Sequence, residues 1–141
     1  MTTTAPTGLV PCEKRRILIT DDEESVREIF RMILSGGLHD CTIDVATNGI
    51  EAVQSFRQFH QGVLLMDLKM PQMDGQTAFY KIRDICEEKG WEIPAVIFCT
   101  GFAPSPDVLS LTNPESEHSL IRKPVPLELL LETVKSRMPA V

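Results

Sequence analysis

Acidic side chains follow two apolar segments of the chain, at the points where those segments end. Asp21 and Asp22 come directly after residues 16–20, and Asp67 comes directly after residues 63–66. Carboxylates that are crowded together repel one another, so at least one is driven toward its neutral form unless a cation lies between them. Mg²⁺ prefers oxygen ligands and is commonly held by one or two carboxylates together with a phosphate oxygen. These three aspartates are therefore candidate magnesium ligands.

Two further segments end in residues that suit phosphoryl chemistry. Thr100 ends an apolar segment and offers a hydroxyl group, and Lys123 follows another and offers a point positive charge. A carboxylate held rigidly at the tip of a buried strand can attack phosphorus, and Asp67 has that position. With a divalent cation, these groups would neutralise the charge on a transferring phosphoryl group.

Each of these residues also has a purely structural interpretation. Asp21 and Asp22 could cap the helix that follows them, a threonine ends many strands, and a lysine before a proline is commonly a surface residue. Asp74, which is followed by Gly75, is predicted to form a turn and helix cap without chemistry. Because all four segment ends carry the residue type that phosphoryl transfer requires, we favour the phosphoryl interpretation.

The elements that position these residues are read from the hydrophobic pattern. Short apolar runs predict strands at 16–20, 42–46, 63–67, 93–99 and 119–121. Helical spacing of apolar residues recurs at 26–34, 52–60, 78–86 and 127–138, and a short helix at 107–111 lies among prolines. This alternation predicts a single doubly wound α/β domain with five parallel strands and helices on both faces. In such sheets the functional residues gather at the carboxyl ends of the strands.

The composition narrows the class of protein. The 141 residues carry a net charge of −6 and their basic residues are scattered, which argues against a nucleic-acid-binding surface. None of the four cysteines forms a CxxC pair, so we expect reduced thiols. No apolar stretch approaches the roughly 20 residues of a membrane span. We expect a soluble cytoplasmic protein with a flexible tail at 1–14, a domain at 15–138 and a C-terminal end at 139–141.

The chain resembles the receiver domain of two-component response regulators, including the chemotaxis regulators. The resemblance covers about residues 15 to 138. It is carried by Asp21-Asp22, by the stretch MDLKMPQMDG at 66–75, by Thr100-Gly101 and by Lys123-Pro124. The stretch around Asp67 is highly specific, and the other motifs occur in the family's order and spacing.

This resemblance implies a flavodoxin-like fold with strand order 2-1-3-4-5 and a role for each site residue. Asp67 would be the phosphoacceptor, and Mg²⁺ would be held by Asp21, Asp22, Asp67 and the backbone carbonyl of Lys69. Thr100 would be the switch hydroxyl and Lys123 the phosphoryl-stabilising lysine, with a cis bond before Pro124. The donor would be a phosphohistidine on a sensor histidine kinase or a histidine phosphotransfer protein. Such a domain is a signalling module and not an enzyme, although it can assist its own phosphorylation and dephosphorylation.

Three features depart from the family pattern. Leu120 occupies the position that usually holds an aromatic switch residue, the fourth helix is interrupted by prolines, and the 141 residues end soon after the last predicted helix. We therefore expect a monomer or weak dimer that signals to an unidentified protein target by protein–protein contact, without binding DNA or a membrane.

Two other functions remain open. A receiver-like domain could work through fixed contacts and never be phosphorylated. A magnesium-dependent phosphatase of the haloacid dehalogenase type would also use a strand-end aspartate nucleophile, but its general acid would stand two residues later, where this chain has Lys69.

Overall fold

The structure is a computed structural model and describes residues 15–138. Among these residues, five strands alternate with five helices. The strands are β1 (Arg16–Thr20), β2 (Thr42–Ala46), β3 (Val63–Asp67), β4 (Ala95–Thr100) and β5 (Ser119–Arg122). The helices are α1 (Glu24–Gly37), α2 (Gly49–Phe59), α3 (Gly75–Lys89), α4 (Pro106–Leu111) and α5 (Leu127–Arg137).

The strands form one parallel sheet in the order β2-β1-β3-β4-β5, which confirms the predicted fold. The chain moves outward in one direction from β1 to β2 and in the other from β3 to β5, so the order reverses between β1 and β3. Asp67 is the register partner of Cys99, and Thr100 is the next residue of β4. All five strands therefore deliver their last residues to the same rim of the sheet.

Two hydrophobic layers cover the sheet, one on each face. Leu18, Leu64 and Phe98 face the layer that α2, α3 and α4 supply, and Ile19 and Leu65 face the layer of α1 and α5. Every residue of β3 is buried. The continuous apolar sequence of β3 thus reflects a central strand that is covered on both sides.

The fourth strand and helix show how proline sets element boundaries. β4 begins at Ala95, two residues later than predicted, because Pro94 has no N–H to donate to a neighbouring strand and Ile93 lies exposed. The short fourth helix is confirmed: Pro106 occupies its first turn, and the Ser105 hydroxyl accepts a hydrogen bond from the Val108 N–H at 3.2 Å.

Two polar contacts stabilise the sheet away from its carboxyl rim. At the start of β1, the Arg16 guanidinium donates to both oxygens of Asp44, at 2.7 and 2.9 Å, and lies 3.9 Å from the centre of the Phe59 ring. At the opposite edge, the Val96 N–H donates to Nδ1 of His118 at 3.1 Å. A side chain thus continues the hydrogen bonding of β4 where β5 has not yet begun.

The imidazole of His118 lies in a largely apolar environment. Its ring makes an edge contact with Phe79, and burial lowers the pKa of His118 below its ordinary value. The charged groups that act on it are Glu117, which favours protonation, and Arg137 and Arg83, which oppose it. The neutral ring is the form that can accept the Val96 hydrogen bond at Nδ1.

The expectations for the cysteines, the chain ends and a membrane span can be compared with the structure only over residues 15–138. Cys41, Cys86 and Cys99 are free thiols, and burial raises the pKa of Cys99 to about 12. Cys12, the predicted tail at 1–14 and the end at 139–141 lie outside the described residues. Within residues 15–138, no helix combines the length and apolarity that a membrane crossing requires.

Candidate functional site

Three aspartates meet at the carboxyl rim of the sheet, beside the point where the strand order reverses. Asp21 and Asp22 follow β1 directly and Asp67 ends β3, and one carboxylate oxygen from each lies within 4.8 Å of the others. Asp21 and Asp67 are buried, with 1% and 6% of their surface exposed, whereas Asp22 is exposed. The structure therefore brings together the three aspartates among the predicted metal ligands, in a cluster that is open on the Asp22 side.

The Lys123 ammonium bridges the two buried carboxylates. Its Nζ lies 2.7 Å from Oδ2 of Asp21 and 3.5 Å from Oδ2 of Asp67. The Lys123 N–H donates to the carbonyl of Thr100 at 2.7 Å, and this hydrogen bond holds the backbone of the lysine beside β4. The bond from Lys123 to Pro124 is cis, as expected. Lys123 is thus part of the site and not a solvated surface lysine.

Electrostatics at the site disfavour the ionised form of Asp67. Burial and the neighbouring Asp21 carboxylate raise the pKa of Asp67 to about 6, although Lys123 opposes the shift. Burial by itself would lower the pKa of Lys123, but its contacts with Asp21 and Asp67 hold that pKa above the ordinary lysine value. A cation that replaced or joined this ammonium would favour the ionised carboxylates.

The residues around Asp21 fix its carboxylate in the site. Oδ1 of Asp21 accepts a hydrogen bond from the Glu23 N–H at 3.0 Å, and the Arg27 guanidinium donates to the Asp21 carbonyl at 2.8 Å. Glu23 is the N-cap residue of α1, and its side chain makes no capping hydrogen bond. Helix capping therefore does not account for Asp21 and Asp22.

The loop from β3 to α3 is packed tightly against Asp67. A Cβ atom at Gly75 would clash with the Asp67 carbonyl oxygen and lie 2.8 Å from Cγ of Met66, so this position requires glycine. The predicted cap is confirmed, since Oδ1 of Asp74 accepts from the Thr77 N–H at 2.7 Å. Close packing of the start of α3 thus holds the end of β3 in place.

Thr100 is fully buried at the end of β4, and its hydroxyl contacts the next loop. It accepts a hydrogen bond from the Phe102 N–H at 3.1 Å and lies 3.4 Å from the Phe102 carbonyl oxygen. Leu120 is half-buried on β5 and packs against the α2–α4 layer, so no aromatic ring stands at the usual switch position.

Phe102 was missed by sequence reasoning. Its side chain is 58% exposed, and the Lys69 ammonium lies 4.9 Å from the centre of its ring. The backbone N–H of Lys69 also donates to Oδ1 of Asp67 at 3.3 Å. An aromatic residue two positions after Thr100 was the available signal, but a sequence does not reveal contacts between two loops.

The donor set fits a hard divalent cation. Three carboxylates offer oxygen ligands only, which suits Mg²⁺, and the exposed Asp22 side leaves room for the water molecules that this ion retains. The arrangement can thus hold a cation beside a buried carboxylate, an ammonium group and a threonine at the adjacent strand end.

Comparison with known proteins identifies the family. The family model for the response regulator receiver domain matches residues 17–135. The chain belongs to this family. Among its relatives, the chemotaxis protein CheY of Bacillus subtilis is 26% identical over 123 residues, which cover 87% of this chain and 97% of that protein. The response regulator MprA of Mycobacterium ulcerans is 28% identical over 121 residues, or 86% of this receiver chain and 49% of MprA.

Solved receiver structures agree with this fold. The response regulator domain of Thermotoga maritima CheB superimposes with a TM-score of 0.71 over 89% of this chain and 97% of that domain, at 21% identity. A Clostridium phytofermentans two-component transcriptional regulator gives a TM-score of 0.68 at 27% identity, covering 87% and 90% of the two chains. The receiver chain spans half or less of the length of the first curated relatives, which include a protein-glutamate methylesterase of which it covers 20%.

Proposed function

We propose that this receiver domain accepts a phosphoryl group on Asp67 and signals through phosphorylation-dependent contact with another protein. The observation that carries the proposal is the convergence of Asp21, Asp22, Asp67 and Lys123 at one end of the sheet. Asp21, Asp22, Asp67 and the carbonyl of Lys69 would hold Mg²⁺, and the bound ion would supply positive charge to the phosphoryl oxygens.

The transfer itself is a displacement at phosphorus. A carboxylate oxygen of Asp67 forms the new P–O bond while the P–N bond of a phosphohistidine breaks, and the departing imidazole keeps the bonding electrons and takes up a proton. The Lys123 ammonium, 3.5 Å from Asp67, is placed to pair with the phosphoryl oxygens, and Thr100 supplies a hydroxyl donor from the adjacent strand end. The Lys69 N–H orients the other oxygen of Asp67.

The partners follow from this chemistry. The donor would be a sensor histidine kinase or a histidine phosphotransfer protein, and the output would be contact with an unidentified protein target. The net charge of −6 supports a function without nucleic-acid binding. We further propose that residues 15–138 form the whole receiver unit, without enzymatic turnover of external substrates. A cytoplasmic location, the lack of membrane association and a monomeric or weakly dimeric state stay predictions.

Intact-mass measurement after incubation with acetyl phosphate and Mg²⁺ tests the proposal. We expect one labile phosphoryl adduct, which disappears when Mg²⁺ is removed by a chelator and in Asp67→Asn. Asp74→Asn is the matched control, because Asp74 is a nearby acidic residue that caps α3 outside the cluster.

The alternatives give different results in the same experiment. No adduct from acetyl phosphate or from a phosphorylated histidine kinase would support the fixed-contact module and refute phosphorylation. Continued release of phosphate from added phosphate esters would instead indicate the phosphatase.

A further inference from the structure

The loop from β3 to α3 contacts the start of α2 shortly before α3 begins. The Gly49 N–H donates to the Met73 carbonyl at 3.2 Å, and the side-chain amide of Asn48 donates to Oε1 of Gln72 at 3.3 Å. We call Asn48, Gly49, Gln72 and Met73 the inter-loop contact. The Met73 side chain also packs against the layer of α2, α3 and α4, so polar and apolar interactions both anchor this end of the loop.

The two segments approach each other too closely for any residue but glycine at position 49. A Cβ atom there would lie 2.5 Å from the Met73 carbonyl oxygen and 2.9 Å from Cγ of Met73. Contacts of a Cβ atom below 3.0 Å essentially never occur in proteins, and a backbone carbonyl cannot turn aside as a flexible side chain can. Because Ala52 and Phe56 fix α2 in the core, a side chain at position 49 would displace the β3–α3 loop.

The turn at Gln72 requires support from outside the loop. The Met73 N–H donates to the Pro71 carbonyl at 2.8 Å across Gln72, whose φ is +70°. A three-residue turn with a left-handed central residue is rare and strained, and such strain persists only where surrounding contacts fix the conformation. The inter-loop contact provides this support, because it holds the Gln72 side chain and the Met73 carbonyl.

This turn is connected to Lys69 by a short, stiff segment. Only Met70 and Pro71 separate Lys69 from Gln72. Proline fixes its own φ angle and favours extended conformations for the residue before it. On its other side, Lys69 is held by the hydrogen bond from its N–H to Oδ1 of Asp67 at 3.3 Å. A displacement at Gln72 is therefore transmitted to the Lys69 carbonyl, because the segment between them cannot absorb it.

We propose that Asn48 and Gly49 are positioning residues for the Mg²⁺ site, because they hold the β3–α3 loop in the conformation that lets the Lys69 carbonyl bind the ion. The inference rests on the proposed function, in which that carbonyl is a ligand. Neither residue belongs to the aspartate cluster. They act on the ion only through the loop that they hold.

NMR titration of the full chain with Mg²⁺ measures both the Kd and the response of the Lys69 carbonyl carbon. We expect Gly49→Ala to raise the Kd about tenfold, as is common when the support of a metal ligand is removed. The shift of the Lys69 carbonyl carbon at saturation should also be smaller than in the parent protein. Gly36→Ala is the matched control, because a Cβ atom at this helical glycine would have no atom within 4 Å, and it should keep the parental Kd.

Substitutions at Asn48 and Gln72 separate the side-chain contact from helix capping. Asn48→Ser keeps an oxygen that can accept from the Glu51 N–H, as Asn48 does at 2.9 Å, but removes the donor to Gln72. We expect it to raise the Kd about threefold, the effect of losing one neutral hydrogen bond. Gln72→Gly removes the same contact and tolerates the positive φ, so Asn48→Ser should not raise the Kd further in that background. Asn113→Ser, at an asparagine that donates to the Ser110 carbonyl after α4, should leave the Kd unchanged.

The outcomes distinguish this inference from the proposed function. If Asn48→Ser and Gly49→Ala lose unfolding free energy but keep the parental Kd, or if the Kd rises while the Lys69 carbonyl responds as in the parent, the inference is wrong and the phosphoacceptor function stands. If Gly49→Ala does not fold, Asn48→Ser with and without Gln72→Gly decides. If the parent protein neither binds Mg²⁺ nor forms a phosphoryl adduct, the proposed function is wrong and the inference is refuted with it.

Discussion

Replacing Asp67 with asparagine should stabilise the metal-free protein near neutral pH. Asp67 is buried beside Asp21, and the Lys123 ammonium lies closer to Asp21 than to Asp67. Ionised Asp67 therefore destabilises the fold in the absence of a cation. Asparagine has nearly the same shape and removes the charge, while its amide oxygen can still accept from Lys123.

The magnitude follows from the pKa of Asp67, which rises from 3.8 to about 6 on folding. Each pH unit of that change corresponds to about 1.4 kcal/mol, so the fully ionised group costs about 3 kcal/mol. Because the folded-state pKa is the higher one, the cost is absent below 3.8, grows as the pH rises toward 6, and is complete above it. Since Lys123 loses a charged partner in the variant, we expect a gain of about 1–3 kcal/mol in unfolding free energy.

Urea denaturation in a chelating buffer measures this difference. We expect Asp67→Asn to be the more stable protein at about pH 7.5 and to lose most of its advantage by about pH 4.5. Mg²⁺ at ten times its Kd should stabilise the unsubstituted protein by about 1.4 kcal/mol. The difference in unfolding free energy between Asp67→Asn and the unsubstituted protein should therefore become smaller. Asp74→Asn, a substitution at an exposed cap, should show no comparable pH dependence. A variant that is no more stable than the parent in chelator at the higher pH would refute the electrostatic reasoning.

Three further predictions concern residues outside the aspartate cluster. Acid should destabilise the fold as the pH falls from about 6.5 through the lowered pKa of His118, because the imidazolium cannot accept the Val96 hydrogen bond at Nδ1. In urea denaturation, His118→Gln should lose less unfolding free energy on acidification than the parent protein. The exposed His39→Gln should lose as much as the parent. Asp44→Asn should lower the unfolding free energy measured by urea denaturation by about 1–2 kcal/mol, because Arg16 loses a charged, part-buried partner. An unchanged unfolding free energy would show that the ion pair does not stabilise the fold. Beryllofluoride with Mg²⁺ should cause little or no dimerisation, because Leu120 provides no aromatic switch, and a monomer-to-dimer shift in sedimentation would contradict this.

The sequence was sufficient to predict where the site lies. The strands of this fold are short apolar runs that stop abruptly at Asp21, Asp67 and Thr100. Once alternating strands and helices indicate a parallel sheet, topology requires those ends to meet at one rim. The position of the aspartates thus follows from periodicity and connectivity, without knowledge of any side-chain conformation.

The sequence was not sufficient for contacts that depend on loop conformation. Nothing local to Lys123 shows that it lies closer to Asp21 than to Asp67, and nothing local to Phe102 shows that Lys69 lies over its ring. Such contacts depend on the relative positions of segments far apart in the chain. The predicted start of β4 at residue 93 is a different kind of error, because it could have been avoided from the sequence. Pro94 has no N–H for strand pairing and already indicated that the strand begins after it.

The charge balance of the site explains why cation binding and phosphorylation should depend on each other. Asp21 and Asp67 are both buried against the Lys123 ammonium, so a cation that neutralises them would remove repulsion that the metal-free fold retains. The proposed phosphorylation would neutralise the carboxylate of Asp67 but would add a dianion at the same point, which would increase the need for positive charge beyond what a single ammonium supplies. Because binding free energies are reciprocal, a phosphoryl group that is stabilised by Mg²⁺ must in turn tighten the binding of Mg²⁺. The Mg²⁺ affinity of the beryllofluoride-bound protein should therefore exceed that of the free protein.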